Sequence, residues 1–122
     1  MDNEIHARLA HKCELLAQQL DRISQGLFFV EGNKEAVKMK DFLVDSFLDI
    51  EFIVSGRSSK SYRNARITME YGGPTIHIDT DCGKIIGGWG NNHHETFLYR
   101  DTLNSIDDAA AEMWESLPSR DN

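Results

Sequence analysis

The sequence predicts an α+β domain: two N-terminal helices, an antiparallel meander of four to five strands, and a C-terminal helix packed on one face of the sheet. Three observations predict it. Near both ends of the chain, apolar residues recur every three or four positions, the period of helices with one buried stripe. Over residues 49–100 they alternate with polar residues instead, the period of strands with one buried face. The strands are separated only by short segments bearing Gly, Asn and Asp. Such links are too short for crossover helices, so sequence neighbours pair antiparallel.

The elements follow in order. Leu9, Cys13, Leu16, Leu20, Ile23 and Leu27 form an a/d seam over a first helix from residue 3 to about 26, with Gly26 as its stop. The seam is read as packing within the chain; a homodimer through this helix is the alternative. Asn33 is placed to cap a second helix over about 34–48, with Ala36, Val37, Met39, Phe42, Leu43, Val44, Phe47 and Leu48 on a wide apolar face. Strands are expected at 49–56, 65–71, 74–80, 83–90 and 94–100. The second should turn Ala65, Ile67, Met69 and Tyr71 inward, and Arg66, Thr68 and Glu70 outward. The third should bury Ile76 and Ile78 and expose His77 and Asp79. The fourth is expected to be interrupted at Gly87-Gly88. Asp101 or Ser105 then caps a last helix over 103–117, with Leu103, Ile106, Ala110, Met113, Trp114 and Leu117 as its apolar side and Pro118 as its end. One domain is expected, with a helical part at 1–48, a sheet at 49–100 and a last helix at 101–118.

Size and composition exclude several classes. The chain has 122 residues, enough for one core without a metal or disulfide staple. No apolar run approaches the roughly 18 residues of a membrane span. Met1-Asp2-Asn3-Glu4 has no apolar run behind it, so no signal peptide is expected there. Cys13 and Cys82 match neither a disulfide framework nor a CxxC site, and an intracellular setting is the expectation. The net charge of −7 favours basic partners over nucleic acid. Against it stands one basic segment, Arg57, Lys60, Arg63 and Arg66, with Tyr62 among them. It is read as a solvated hairpin loop able to meet a phosphate or an acidic patch. The α-β-β-β-α order is also that of double-stranded-RNA-binding domains. Those hold RNA through lysines opening their last helix, where this chain has Asp107, Asp108, Glu112 and Glu115. Direct nucleic-acid binding is therefore not expected.

The stretch GGPTIHIDTDCGKIIGGWGNNHHE (72–95) holds His77, Asp79, Asp81, Cys82, His93 and His94. Zinc would accept such ligands, but no tight CxxC or HExxH spacing is present. Asp79-Thr80-Asp81-Cys82-Gly83 opens like a calcium loop, but position 12 is Gly90 rather than Glu. Cys82 beside a histidine could form a thiolate pair. A small metal- or thiol-dependent enzyme on His77, Asp79, Cys82 and His94 is thus one alternative. The preferred reading is three turns, at Gly72-Gly73-Pro74, Asp81-Cys82-Gly83 and Asn91-Asn92, with no cofactor, metal or catalytic residue. Trp89 is left either as an anchor under the last helix or as an exposed contact residue.

Gly72, Gly73, Pro74, Ile76, Ile78, Asp79 and Thr80, then Gly88, Trp89 and Gly90, then the acidic last helix, carry a resemblance over residues 64–117. The pattern resembles small acidic proteins of phages and prophages, a type that includes anti-CRISPR inhibitors of host defence. The resemblance implies a non-enzymatic inhibitor in the bacterial host cytoplasm. It implies a protein partner that handles nucleic acid, met by carboxylates in place of phosphates. The residues assigned to that contact are Glu70, Asp79, Asp81, Trp89, Asp107, Asp108, Glu112 and Glu115. The chain is less dense in acids than a whole-surface DNA mimic, which favours a local acidic patch.

Overall fold

The computed structural model describes residues 2–56 and 60–117; Arg57 and Pro118 lie outside them. Helix α1 (Asp2–Ser24) comes first. Its seam faces inward, with Leu9, Cys13, Leu20 and Ile23 buried and Leu16 packed against them. Leu27 stands past the helix end and is exposed. Gly26, at φ +73°, closes α1. Its amide bonds to the Ile23 carbonyl, and the Leu27 amide to that of Arg22. This paired pattern satisfies the last carbonyls and needs a left-handed residue at Gly26.

Helix α2 (Met39–Ser46) is shorter than the periodicity predicts. Asn33 does not cap it: the Asn33 amide closes a turn on Val30, and the Val37 amide bonds to the Phe28 carbonyl. These bonds tie 28–37 into a loop, and Lys38 is still extended at φ −87°, ψ 146°. The helix buries Met39 and Leu43, while Val44 and Leu48 are exposed.

The strands are β1 (Asp49–Ser55), β2 (Ser61–Glu70), β3 (Thr75–Asp79), β4 (Lys84–Trp89) and β5 (Asn92–Phe97). They form one antiparallel sheet in the order β1-β2-β3-β4-β5. β2 begins earlier than expected, so much of the basic segment is strand. β4 runs unbroken through Gly87-Gly88, contrary to the expected interruption. A Cβ on Gly87 would lie 2.8 Å from both Cys13 Sγ and Leu9 Cδ1, so its bare backbone is what lets α1 settle on the sheet.

Helix α3 (Arg100–Glu115) starts earlier than predicted. Tyr99 takes the N-cap position without a side-chain bond, so neither Asp101 nor Ser105 caps it. Asp101 instead sits in the first turn, where a carboxylate suits the helix dipole. α3 packs on β2 and against α2, and α1 packs on β4 and β5. Ala65, Ile67, Ile76, Ile78 and Ile85 join Leu9, Cys13, Leu20, Leu43, Ile106 and Ala110 in one core. The helices thus cover one face of the sheet, as expected, and among the described residues no helix lies on the other face.

Register shifts change the faces. Arg63 has no partner where the β1–β2 register slips, so Tyr62 pairs with Val54 and points inward. At the second slip Met69 is skipped and Glu70 pairs with buried Ile76. A one-residue bulge turns everything after it to the opposite face. Glu70 therefore lies on the helix side, and Tyr71 is exposed, both opposite to the alternation predicted from sequence.

Candidate functional site

The eight residues expected at a contact surface divide between the two ends of the sheet. At one end, Glu70 is 3.2 Å from Lys12 of α1. Trp89 lies at that end too, half-buried against the core. Its indole is 3.8 Å from the Cβ position of Gly73, so it braces the β2–β3 turn rather than the last helix.

At the other end stand Asp79, Asp81 and the acidic helix. Asp79 shapes its turn: its Oδ1 accepts the amides of Asp81 (2.9 Å) and Cys82 (3.2 Å), and its carbonyl accepts that of Gly83 (2.9 Å). Arg66 approaches it at 3.9 Å, and its side chain is only 18% exposed. Asp79 is thus a turn-maker more than a contact residue. Gly83 is positive in φ, as the turn requires, and its Cβ position is 3.1 Å from Leu103 Cδ2 of α3. That brings the exposed Asp81 alongside α3.

Asp107 is inward. The Tyr62 hydroxyl donates to its Oδ1 at 2.5 Å and lies 3.5 Å from Thr80 Oγ1, which accepts the Ala65 amide at 2.9 Å. Asp108, Glu112 and Glu115 face solvent, four and three residues apart on one stripe. Lys40 reaches Glu112 only at 3.9 Å. This end of the sheet therefore carries the exposed Asp81 near the start of α3 and the exposed Asp108, Glu112 and Glu115 along it, while Asp107 ties the helix to β2.

Burial, helped by the bond to Asp107, pushes the Tyr62 hydroxyl well up from 10.0. Burial, with Glu14 and Glu70 nearby, pushes the Cys13 thiol from 9.0 up to about 11. Both folded-state values exceed the unfolded ones, so both groups stabilise the fold fully below their unfolded pKa. That stability is lost as pH rises, from about 9 for Cys13 and about 10 for Tyr62. Tyr62→Phe is expected to cost about 1.5 kcal/mol at neutral pH by removing a bond to a carboxylate. It should also flatten the fall in melting temperature above pH 10, while Cys13→Ala flattens the earlier part. Melting curves from neutral pH upward check both.

The residues of the enzyme alternative do not converge. His77 pairs with Ile86 on the open face, while His94 pairs with Gly87 on the helix face, beneath α1. Burial, with Arg66 beside it, lowers the His77 pKa and so favours the neutral ring. His94 Nε2 is buried and 3.5 Å from Glu14 Oε1, without hydrogen-bond geometry, and its ring meets His6 edge-on at 5.9 Å. Cys82 is exposed at the turn, and burial with Asp79 raises its pKa, which disfavours the thiolate. Among the described residues, no three His, Cys, Asp or Glu side chains stand together as metal ligands. The basic segment is also dispersed: Lys60 is exposed, Arg63 donates to Ser55 Oγ at 2.6 Å, and Tyr62 and Arg66 point to opposite faces.

The open face has its own order. Glu51, Arg66, Asp79, Lys84 and Phe97 form one row across the strands. Glu95 bonds to Lys84 and to His93, each at 2.7 Å, and Lys84 above all holds its carboxyl down at about 2. Lys84 Nζ also lies 5.0 Å from the Phe97 ring centre. Sequence reasoning passed over one feature, a groove between α1 and β5. Its signal was present: Glu14, Gln18 and Asp21 recur at helical spacing beside the buried seam. Among the described residues, no helix is long and apolar enough to cross a membrane. No protein-family model, curated protein or solved structure matches the chain.

Proposed function

We propose that the protein is a non-enzymatic inhibitor that binds a basic surface of a nucleic-acid-handling host complex in the bacterial cytoplasm, in the manner of anti-CRISPR proteins. One observation carries the reading: Asp108, Glu112 and Glu115 form an exposed acidic stripe on α3, and the exposed Asp81 lies in the turn near the start of the same helix. Carboxylates on a rigid helix offer a fixed pattern to Arg and Lys side chains that otherwise hold phosphates. Asp107 and Asp79 brace this end of the fold rather than forming the stripe, and Glu70 and Trp89 stand at the opposite end of the sheet. The resemblance over residues 64–117 supplies the class of partner; the stripe supplies the contact.

The test is a plasmid-interference assay in bacterial strains carrying active CRISPR effectors of different types. Expression of the chain should restore transformation by a targeted plasmid in at least one strain. In that strain, Asp108→Lys/Glu112→Lys/Glu115→Lys should abolish the protection with an unchanged melting temperature, because all three side chains are exposed. Binding to the purified effector should weaken as salt rises. Protection that survives the triple reversal would refute the acidic stripe, and no protection in any strain would refute the inhibitor class.

A further inference from the structure

β5 is an edge strand of the sheet. The Leu98 amide bonds to the Gly83 carbonyl at 2.9 Å, and this fixes the phase of the β4–β5 ladder. Hydrogen-bonded pairs alternate along an antiparallel ladder, so Asn92, His94 and Thr96 bond inward to Trp89, Gly87 and Ile85. The amides and carbonyls of His93, Glu95 and Phe97 then point away from the sheet. The opposite edge differs. β1 carries Asp49 and Glu51 on its open face, charges that discourage pairing. On β5 the single carboxylate, Glu95, is engaged by Lys84 and His93.

The free edge of β5 borders a groove of about 500 Å³ against α1. Glu14, Gln18 and Asp21 form its helical wall, and Thr96, Phe97 and Tyr99 its strand wall. A second hollow continues it past Asp21 and Tyr99 to Asp101. Among the described residues, neither lining contains a Lys or Arg. Thr96 Oγ1 is buried without a hydrogen-bond partner among the described residues. Phe97 and Tyr99 are 75% and 74% exposed, unusual for large aromatic side chains.

We infer that this groove is a docking site for an extended basic peptide, which pairs with β5 as a sixth strand. The backbone supplies the unpaired donors and acceptors that strand addition uses. Side chains of an added strand alternate between two faces. One set would face Glu14, Gln18 and Asp21 and should be basic; the other would lie beside Phe97 and should be apolar. The site is separate from the Asp108–Glu115 stripe, so either can fail without the other.

The probe is a fluorescein-labelled Lys-Val-Lys-Val-Lys-Val peptide, with Glu-Val-Glu-Val-Glu-Val and an alternately N-methylated Lys-Val peptide as controls. Amide spectra of the whole chain read the binding. The expected result is saturable shifts at His93, Glu95 and Phe97, with slowed exchange of those amides. The acidic peptide should not bind. N-methylation, and separately Glu14→Lys/Gln18→Lys on the exposed helix surface, should each weaken binding about tenfold or more. Three outcomes would overturn the proposal. The peptide could produce no shifts at β5. It could bind equally well when N-methylated, with shifts on α3, which is charge attraction without strand pairing. The edge amides could already be protected in a dimer seen by sedimentation, which assigns the edge to a second copy.

Discussion

Leu20→Glu is expected to leave the chain unfolded at room temperature. Leu20 is 0% exposed and belongs to the core that α1 forms with the sheet and the other helices. Truncation to alanine at such a position typically costs about 2–5 kcal/mol. A carboxylate adds the penalty of a buried polar group with no partner, or of the proton it must take up to remain there. Domains of this kind are stable by only about 5–15 kcal/mol, so the sum removes most or all of the margin. Leu15→Glu is the control. It lies on the same helix but is half exposed, and its effect should stay within about 0.5 kcal/mol. Circular dichroism melting of both variants decides the point. A folded Leu20→Glu that merely changed its oligomeric state would mean that the seam serves a second copy. The structure opposes this, because the sheet already occupies the seam.

Gly87→Val should destabilise by about 3 kcal/mol, the upper range for forcing volume into a packed core. The new Cβ alone would meet Cys13 Sγ and Leu9 Cδ1 at 2.8 Å, inside van der Waals contact. Both neighbours are fully buried, so neither can swing into solvent. α1 must therefore lift from β4, and the whole stripe loses contact with it. Gly88→Ala is the paired measurement. The nearest atom to its Cβ position is Asn92 O at 3.9 Å, so it should be tolerated. Cys13→Ala should restore part of the stability lost in Gly87→Val, because it removes one of the clashing atoms. A double-mutant cycle in urea would read that coupling. Equal effects at Gly87 and Gly88 would show that glycine matters here only for strand flexibility.

The order of the elements was legible because periodicity reports which side of an element is buried, and burial is strong along this chain. Ile76, Ile78 and Ile106 all lie where alternation or helical spacing puts them. What was not legible depends on single backbone events. The bulge at Met69 has no marker in the sequence, yet it carries Glu70 to the helix side and Tyr71 to solvent. The loop before α2 is set by the Val37 amide bonding back to Phe28, a choice that competes with helix formation and that propensity does not record. The structure also separates neighbours within the expected contact set. Spacing alone cannot tell a solvent-facing Asp108 from Asp107, which a tyrosine holds from across the core. Gly87 shows the converse. It was taken as a weakness of the strand, and it is a position where α1 lies directly against the sheet.

The placement of α1 also bears on how the chain is made. The sheet grows strand by strand between sequence neighbours, so each hairpin can form as soon as its own residues leave the ribosome. α1 is different. It is synthesised first, but its supports, β4 and β5, come near the end. Until they appear, Leu9, Leu16, Leu20 and Ile23 form an apolar strip with nothing to lie on, the kind of surface that chaperones hold and that aggregates when released. Docking of the first helix thus waits for the final hairpin, and only α3 remains to be added after it.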